Sequence, residues 1–191
     1  LNYLNKFVKK FIIVESKYTH QGTLKNELLK LENYKKFQHK IDYHLIDKFP
    51  DNLSNWGREN FQRNYIMNTI KNLNDDDLIM VSDLDEIPNL NNFENVRNLK
   101  YTVFNQSNYS YKFNLRNITH PNWFGTRMCK KKYLKSPQWL RDQKVKKYSF
   151  LKFYKIKWNI VQNGGWHFSY IMSPNEISEK IKSFSHAEYN L

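Results

Sequence analysis

The chain has 191 residues, of which 40% are hydrophobic and 26% charged, and its 31 Lys and Arg against 18 Asp and Glu give a net charge of +13. This length fits one ordinary domain with its own core, and the composition excludes collagen-like, linker-like and low-complexity proteins. The single cysteine, Cys129, excludes a disulfide framework and any zinc site built from several cysteines. The positive charge indicates an anionic partner: nucleic acid, a membrane surface or a phosphorylated ligand.

The first half of the chain is predicted to alternate strands and helices. The strands cover residues 8–15, 41–46 and 78–81, and the helices cover residues 24–38 and 55–73. Ser54 and Asn55 offer N-cap side chains for the second helix. The run over 78–81 is continuously apolar, which is typical of a strand buried on both faces. This β-α-β-α-β order favours a parallel α/β sheet.

The second half is less regular and rich in aromatic residues. Strand-like stretches cover about residues 100–113, 123–134 and 150–161, and Ser173 with Glu176 forms a capping box that starts a last helix at Pro174. No apolar run approaches the roughly 20 residues that span a bilayer, so the sequence predicts no membrane segment.

The strongest candidate site follows the strand over 78–81, where Asp83, Asp85 and Glu86 precede Pro88. Ligand sites in open α/β sheets form beyond the carboxyl ends of strands. In an extended chain residues i and i+2 point the same way, so Asp83 and Asp85 are expected to direct two carboxylates at one point. Such a pair calls for a cation, and its oxygen atoms suit Mg²⁺ or Mn²⁺ bridged to a diphosphate. The alternative interpretation is a solvated acidic turn.

A second cluster begins the helix over residues 55–73. Arg58, Glu59, Gln62 and Arg63 share one side of its first turns. Two guanidinium groups at a helix N-terminus can clamp phosphate or hydroxyl groups. The alternative interpretation is an exposed charged face with i,i+4 ion pairs.

Two further candidates lie near opposite ends of the chain. After the Gly164-Gly165 pair, which would let backbone approach a ligand closely, Trp166 could stack on a sugar face and His167 could bind a metal or act as acid or base. Glu15 ends the first strand. Structural roles are the alternatives: a hydrogen-bonded core residue for His167, and a cap of the 16–22 loop for Glu15.

These clusters, in this order, resemble glycosyltransferase family 17. The matching segments are residues 11–22, 56–63, 76–88 and 165–170, followed by the helix that begins at Pro174. The resemblance extends from about residue 4 to residue 186. Animal members of the family include the β-1,4-mannosyl-glycoprotein 4-β-N-acetylglucosaminyltransferase that adds the bisecting sugar to N-glycans.

The resemblance implies an α/β fold that is GT-A-like (Rossmann-like), with a mainly parallel sheet flanked by helices. It implies sugar transfer with inversion from a nucleotide sugar, with UDP-linked N-acetylglucosamine as the donor and a glycan or glycoprotein as the acceptor. Family members usually carry residues before the position of Leu1 and after the last helix. We therefore expect a single glycosyltransferase domain over residues 1–191, cut short at both ends.

The resemblance also assigns roles to residues. Asp83 and Asp85 match the metal-binding D-x-D of the family, and His167 matches a position that often completes the metal shell in GT-A enzymes. The remaining matched residues are assigned to nucleotide-sugar or substrate binding; they are Glu15, Arg58, Glu59, Arg63 and Trp166. The implied cofactor is a divalent cation, Mn²⁺ or Mg²⁺.

Inversion requires a base that takes the proton of the attacking hydroxyl. Glu86 lies beside the predicted metal pair, and Asp142 is the only acidic residue between Glu94 and Glu176. These two carboxylates are therefore the candidate catalytic bases, with Glu86 ranked first.

Two other classes of protein remain open. A nucleic-acid-binding protein could use cations interleaved with aromatic rings to follow a strand by charge and stacking. A metal-dependent nuclease could use Asp83, Asp85 and Glu86. No RNP, helix-turn-helix or zinc pattern accompanies the basic residues, so no nucleic-acid partner is expected. The basic and aromatic residues concerned are Lys130–Lys132, Tyr133, Trp139, Lys144, Lys146, Lys147, Tyr148, Phe150, Phe153 and Tyr154.

Overall fold

A computed structural model of the chain describes residues 1–25, 28–91, 93–145 and 156–183. The chain divides into two compact units, one formed by residues 1–71 with the segment from Ser173 onward, and the other by Asn72–Met172. The single domain over residues 1–191 stays a prediction, and the two units are described in turn.

The described elements follow in chain order. The strands are β1 (Phe11–Ser16), β2 (Ile41–Ile46), β3 (Leu78–Val81), β4 (Glu86–Pro88), β5 (Tyr101–Ser110), β6 (Asn122–Lys130), β7 (Asn159–Val161) and β8 (Gly165–Ser169). The α-helices are α1 (Asn55–Asn64), α2 (Ile66–Thr69), α3 (Pro137–Asp142) and α4 (Pro174–Ser183). Short 3-10 helices cover Leu4–Lys6, Leu31–Lys40, Phe93–Asn95 and Lys131–Tyr133. Within the described ranges no helix has the length and apolar character to cross a membrane.

The first unit contains a parallel pair of strands, β1 and β2, in register from Phe11 with Ile41 to Ser16 with Ile46. The helix predicted over residues 24–38 is wrong, because the described part of that segment forms only a 3-10 helix, which begins at Leu31. Leu24 instead forms a β-bridge with Tyr18, and the Leu29 amide donates to the Glu15 carboxylate. These bonds hold the backbone near the end of β1, so it cannot join a helix.

Capping residues start two helices of this unit where the sequence predicts them. The Ser54 hydroxyl accepts a hydrogen bond from the Gly57 amide at 3.1 Å at the start of α1. Ser173 and Glu176 form the predicted capping box, since the Ser173 amide donates to Glu176 Oε2 at 2.7 Å and the Glu176 amide donates to Ser173 Oγ at 3.4 Å. The helical stretch after Ser54 is interrupted at Tyr65 and ends at Thr69, before the predicted Leu73.

The second unit is built on a mixed six-stranded sheet with the order β3-β6-β5-β8-β4, and β7 also pairs with β5. The β3–β6, β5–β6 and β4–β8 pairs are antiparallel, whereas β5 is parallel to both β7 and β8. The mainly parallel sheet predicted from sequence is therefore wrong for this unit. The reason is local: β5 returns directly as β6 through a hairpin, and β3 pairs with β6 at the edge of the sheet.

The position of β3 at the edge also changes its burial. Ile79 and Val81 are buried, while Leu78 and Met80 are half-buried, so this strand alternates and is not covered on both faces as predicted.

Polar side chains are buried in the middle of this sheet beside an apolar core that includes Val103, Phe104, Met128 and Leu140. Buried polar groups need hydrogen-bond partners, so their concentration in one region indicates a built site. The buried polar residues are Glu86, Thr102, Gln106, Asn108, Thr126, Arg127 and His167.

Candidate active site

The acidic segment after β3 forms a tight turn. The Glu86 amide donates to the Asp83 carbonyl at 3.1 Å, and the Asp83 amide donates in return to Glu86 Oε2 at 3.1 Å. Leu84 lies at the tip and is fully exposed. The extended geometry predicted for this D-x-D segment is therefore wrong, and the Asp83 and Asp85 carboxylates have different partners.

Asp83 and Glu86 are both held by Arg141, which lies on α3. Arg141 Nη2 is 2.6 Å from Asp83 Oδ2 and 2.8 Å from Glu86 Oε1, and its Nη1 donates to Glu86 Oε2 at 2.9 Å and to the Gly125 carbonyl at 2.8 Å. Burial alone would lower the pKa of Arg141, but the Glu86 and Asp83 carboxylates outweigh burial and raise that pKa above its ordinary value. The guanidinium is thus a permanent cation that Glu86 and Asp83 share.

The Glu86 carboxylate is completely buried. Its Oε1 accepts hydrogen bonds from Trp123 Nε1, at 2.8 Å, and from Arg141, while its Oε2 accepts from Arg141 and the Asp83 amide. Each oxygen therefore already has two donors, which is the arrangement of a group that positions its neighbours.

His167 faces Asp85 with its unprotonated nitrogen. Asn108 Nδ2 donates to the His120 carbonyl at 3.0 Å, which fixes Asn108 Oδ1 as the acceptor for His167 Nδ1 at 2.9 Å. The Nδ1 atom therefore carries the proton, and the Nε2 lone pair lies 3.7 Å from Asp85 Oδ1. Burial lowers the pKa of His167 although nearby carboxylates act to raise it, so the neutral ring is favoured.

Trp123 completes this arrangement. Its ring stacks on the imidazole of His167 with centroids 4.4 Å apart and planes inclined by 11°, while its Nε1 is bonded to Glu86. The ring orientation of His167 is thus fixed by packing on one side and by the Asn108 hydrogen bond on the other.

Asp85 provides an oxygen donor of the kind that Mn²⁺ and Mg²⁺ prefer, whereas the imidazole nitrogen of His167 suits Mn²⁺ better than Mg²⁺. Among the described residues no group of three His, Cys, Asp or Glu side chains is arranged to hold an ion. The structure therefore brings together Asp85 and His167 but directs the third predicted ligand, Asp83, to Arg141. A pair of protein ligands fits an ion whose remaining ligands are diphosphate oxygens and water.

The other predicted residues of this unit, Trp166 and Asp142, lie on β8 and α3. Trp166 is next to His167 on β8, so its side chain projects to the opposite face of the sheet. Asp142 is exposed and accepts a hydrogen bond from Gln138 at 2.7 Å.

Close contact with neighbouring backbone explains why position 165 is a glycine. A Cβ there would lie 2.0 Å from the Ile87 carbonyl oxygen. This glycine permits sheet pairing, so the ligand approach predicted for it has no support.

In the first unit, Glu15 organises the chain that follows β1. Its Oε2 accepts hydrogen bonds from Tyr43 Oη at 3.0 Å and from the Leu29 amide at 2.9 Å, and Lys25 Nζ is 3.5 Å from Oε1. Burial, followed by the bond to Glu15, raises the pKa of Tyr43 to about 12. Glu15 thus contacts Lys25 and Leu29, rather than capping the 16–22 loop as the alternative interpretation had it.

The charged residues predicted as a cluster at the start of α1 make two separate sets of contacts. Arg58 donates to the His20 carbonyl at 2.9 Å and so holds the loop after β1, and Arg63 pairs with Glu59 at 3.0 Å as an i,i+4 ion pair. Both members of that pair are largely buried, with side-chain exposures of 17% and 24%. This burial distinguishes them from an ordinary exposed charged face.

Sequence reasoning did not identify Arg141, Trp123 and Asn108 as parts of the site. The sequence does contain a pattern that points to Arg141. Ser136 and Pro137 predict the start of a helix, and that helix carries Arg141 beside Asp142. Trp123 and Asn108 lie on separate strands: the antiparallel β5–β6 register pairs Trp123 with Gln106, and the parallel β5–β8 register pairs Asn108 with His167.

The run Lys130–Lys132, which the alternative of a nucleic-acid-binding protein would use, contacts the acidic turn before β3 instead. Lys130 and Lys132 bond Asp76 at 2.9 and 2.8 Å, and these contacts lower the pKa of Asp76 to about 2. Lys131 donates to the Leu73 carbonyl at 2.6 Å. Of the other residues named for that alternative, those from Lys146 to Tyr154 lie outside the described residues.

Gly125 is required at the site because there is no room for a side chain. A Cβ there would lie 1.9 Å from Gln106 Oε1 and 2.8 Å from Glu86 Cδ. We expect Gly125→Ala to destabilise the fold by about 3 kcal/mol through overpacking. Thermal unfolding should show a melting temperature lower by about 6–12 °C.

Gly57→Ala is the matched control for this substitution. A Cβ at Gly57 would contact Ser54 and Leu53 at 3.3–3.4 Å on a helix, where alanine is favoured over glycine. Its melting temperature should stay close to that of the unmodified protein. Equal melting temperatures for the two variants would contradict the close packing around Glu86.

The site therefore joins an acidic turn, an oriented histidine and a buried arginine in a mixed α/β protein, which is consistent with an enzyme that handles a charged substrate. The model of Glycosyltransferase family 17 matches residues 1–190. The chain belongs to this family and is a glycosyltransferase enzyme. Membership implies a nucleotide-sugar donor and a glycan acceptor. No curated protein and no solved structure matches the chain.

Proposed function

We propose that the protein is an inverting, metal-dependent glycosyltransferase that transfers N-acetylglucosamine from UDP-N-acetylglucosamine to a hydroxyl of a glycan. The donor and the β-1,4-mannosyl-glycoprotein type of acceptor are proposed from the resemblance to animal members of the family. We also propose a GT-A-like fold, which is supported by the parallel β1–β2 pair and by the D-x-D turn that follows β3.

The observation that carries this proposal is the pair formed by Asp85 and His167. An unprotonated imidazole nitrogen and a carboxylate oxygen face each other at 3.7 Å. Two acceptors at this separation attract a cation, and the Asn108 bond holds the histidine in the tautomer that a ligand requires. Mn²⁺ or Mg²⁺ bound there would supply Lewis-acid stabilisation of the charge that develops on the departing nucleotide.

The protein's own groups have separate roles in this proposal. Arg141 engages Asp83 in an ion pair, so that Asp85 is the carboxylate of the turn that we assign to the cation. Glu86 holds Arg141, Trp123 and the acidic turn in place through hydrogen bonds to its carboxylate. We assign it a positioning role because both carboxylate oxygens already accept hydrogen bonds. Asp142 remains the candidate base, and Glu15, Arg58, Glu59, Arg63 and Trp166 remain candidates for substrate binding.

Thermal unfolding with ligands tests the proposed function. UDP-N-acetylglucosamine at about 100 times its Kd should stabilise the protein by about 2.7 kcal/mol, but only when Mn²⁺ or Mg²⁺ is present. This corresponds to a rise of about 5–10 °C in melting temperature. Other nucleotide sugars, tested in parallel, determine the donor.

The control for this experiment is the same nucleotide sugar with a chelator, where no shift is expected. Stabilisation that does not depend on a divalent ion would contradict the metal site. Stabilisation by oligonucleotides that falls steeply with salt would instead favour a nucleic-acid partner.

A further inference from the structure

The hairpin between β5 and β6 exposes an unusual set of side chains. We call residues 111–118 the hairpin tip. Within it Tyr111 is 59% exposed, Phe113 70%, Leu115 48% and Ile118 92%. Large apolar side chains concentrated in so short a segment mark an interaction surface, because each is costly to leave in water.

The charged side chains of the hairpin tip are all positive. Lys112 and Arg116 alternate with the apolar residues of the tip, and both are exposed. The sequence has no Asp or Glu between Glu94 and Asp142. The tip therefore presents apolar groups and cations together, without a carboxylate of its own.

Backbone hydrogen bonds hold the tip in a defined shape. The Ser110 amide donates to the Leu115 carbonyl at 3.0 Å, and the Asn117 amide donates to the Asn108 carbonyl at 2.8 Å. Tyr111 and Tyr170 stack with planes inclined by 21°, and both have left-handed φ values, 69° and 56°. Because the backbone is already ordered, docking requires little further loss of conformational entropy.

We propose that the hairpin tip docks on a membrane surface that contains anionic lipids. Phe113, Leu115 and Ile118 would enter the boundary of the acyl chains, while Lys112 and Arg116 would lie among the headgroup phosphates. The stacked tyrosines have the amphipathic rings that are enriched at this boundary.

A bilayer fits these observations better than the other partners do. The aliphatic side chains of Leu115 and Ile118 cannot stack on nucleic-acid bases or sugar rings as aromatic rings do. The centres of protein interfaces are depleted in lysine, whereas Lys112 alternates with the apolar residues.

The location of the tip gives the docking a consequence. Phe113 contacts the ring of Phe168 with centroids 5.2 Å apart, and Phe168 follows His167 on β8. Docking would therefore hold the candidate site close to the lipid headgroups. The docking itself does not depend on the proposed function, since it requires neither metal nor nucleotide sugar.

Co-sedimentation with vesicles tests this inference. The 191-residue chain is mixed with vesicles of phosphatidylcholine alone or with about 30% phosphatidylglycerol, an anionic lipid of the kind that attracts cationic segments. We expect binding to the anionic vesicles, and a loss of at least about tenfold in affinity for Phe113→Ala/Ile118→Ala. Lys112→Gln/Arg116→Gln should weaken binding and reduce its dependence on salt.

Two controls separate the tip from general effects of charge and apolarity. Lys35→Gln/Lys36→Gln removes the same charge from an exposed segment of the first unit, and Leu24→Ala truncates an apolar side chain that is 65% exposed. Both should bind vesicles like the unmodified chain, and circular dichroism should show all variants folded.

Three results would overturn the inference. The first is the absence of binding to anionic vesicles at low salt. The second is equal binding by Phe113→Ala/Ile118→Ala and the unmodified chain. The third is a change from dimer to monomer in light scattering for that variant without any vesicle binding, which would assign the tip to an interface between copies of the chain.

Discussion

Asp85→Asn should reduce metal-dependent sugar transfer by about a thousandfold or more, because the Lewis acid contributes several kcal/mol and each 1.4 kcal/mol is a factor of ten. Asp83→Asn should cost only about tenfold, since the asparagine oxygen can still accept a hydrogen bond from Arg141. The difference follows from their partners: Asp85 faces His167 at 3.7 Å, whereas Asp83 is paired with Arg141 at 2.6 Å. Initial rates measured against Mn²⁺ concentration check both expectations.

Stability and binding data are needed beside the rates. Both variants should unfold within a few degrees of the unmodified protein, and Asp85→Asn should lose the stabilisation by Mn²⁺ with nucleotide sugar. If Asp85→Asn keeps its metal-dependent activity, or if Asp83→Asn loses as much while remaining equally stable, Asp85 is not the carboxylate that binds the ion.

Local patterns in the sequence predicted much of the fold. The strands over 41–46 and 78–81, the N-cap at Ser54 and the capping box at Ser173 are confirmed. Each depends on residues close together in the chain, where periodicity and capping act directly. The helix over 24–38 failed because a distant contact, from the Leu29 amide to Glu15, outweighs the helical spacing of leucines.

The candidate site was only partly predictable for the same reason. The D-x-D motif indicated where the carboxylates lie, but the partners that separate Asp83 from Asp85 come from α3 and β8. Which strand pairs with β8, and in which register, depends on the whole sheet. Unless the register of the sheet is known, the sequence does not show that Asn108 orients His167 or that Trp123 stacks on His167.

Glu86→Gln should destabilise the protein by about 3 kcal/mol, because the buried donors of Arg141 and Trp123 lose a charged acceptor. The Glu86 side chain has no exposure and that of Arg141 is 11% exposed, so water cannot replace the lost contact. The glutamine amide would also place a donor against the donors of Arg141 or of the Asp83 amide. Thermal unfolding should show a decrease of about 6–12 °C.

Rates measured well below the melting temperature separate a positioning role for Glu86 from the catalytic base predicted by sequence. Were Glu86 the base, the folded Glu86→Gln protein would also lose about a hundredfold or more in kcat. Asp142→Asn is the control for stability, because its carboxylate is exposed and accepts a hydrogen bond from Gln138 that an asparagine oxygen can also accept.

A double-mutant cycle with Arg141→Gln isolates the ion pair. Removing both charges should cost less than the sum of the two single substitutions, because neither charge is then left buried without its partner. Strict additivity would contradict the coupling on which the shape of the acidic turn depends. Positive coupling would mean that the shape of the acidic turn that carries Asp85 depends on Arg141, a residue 56 positions away from Asp85, and not on the D-x-D motif alone.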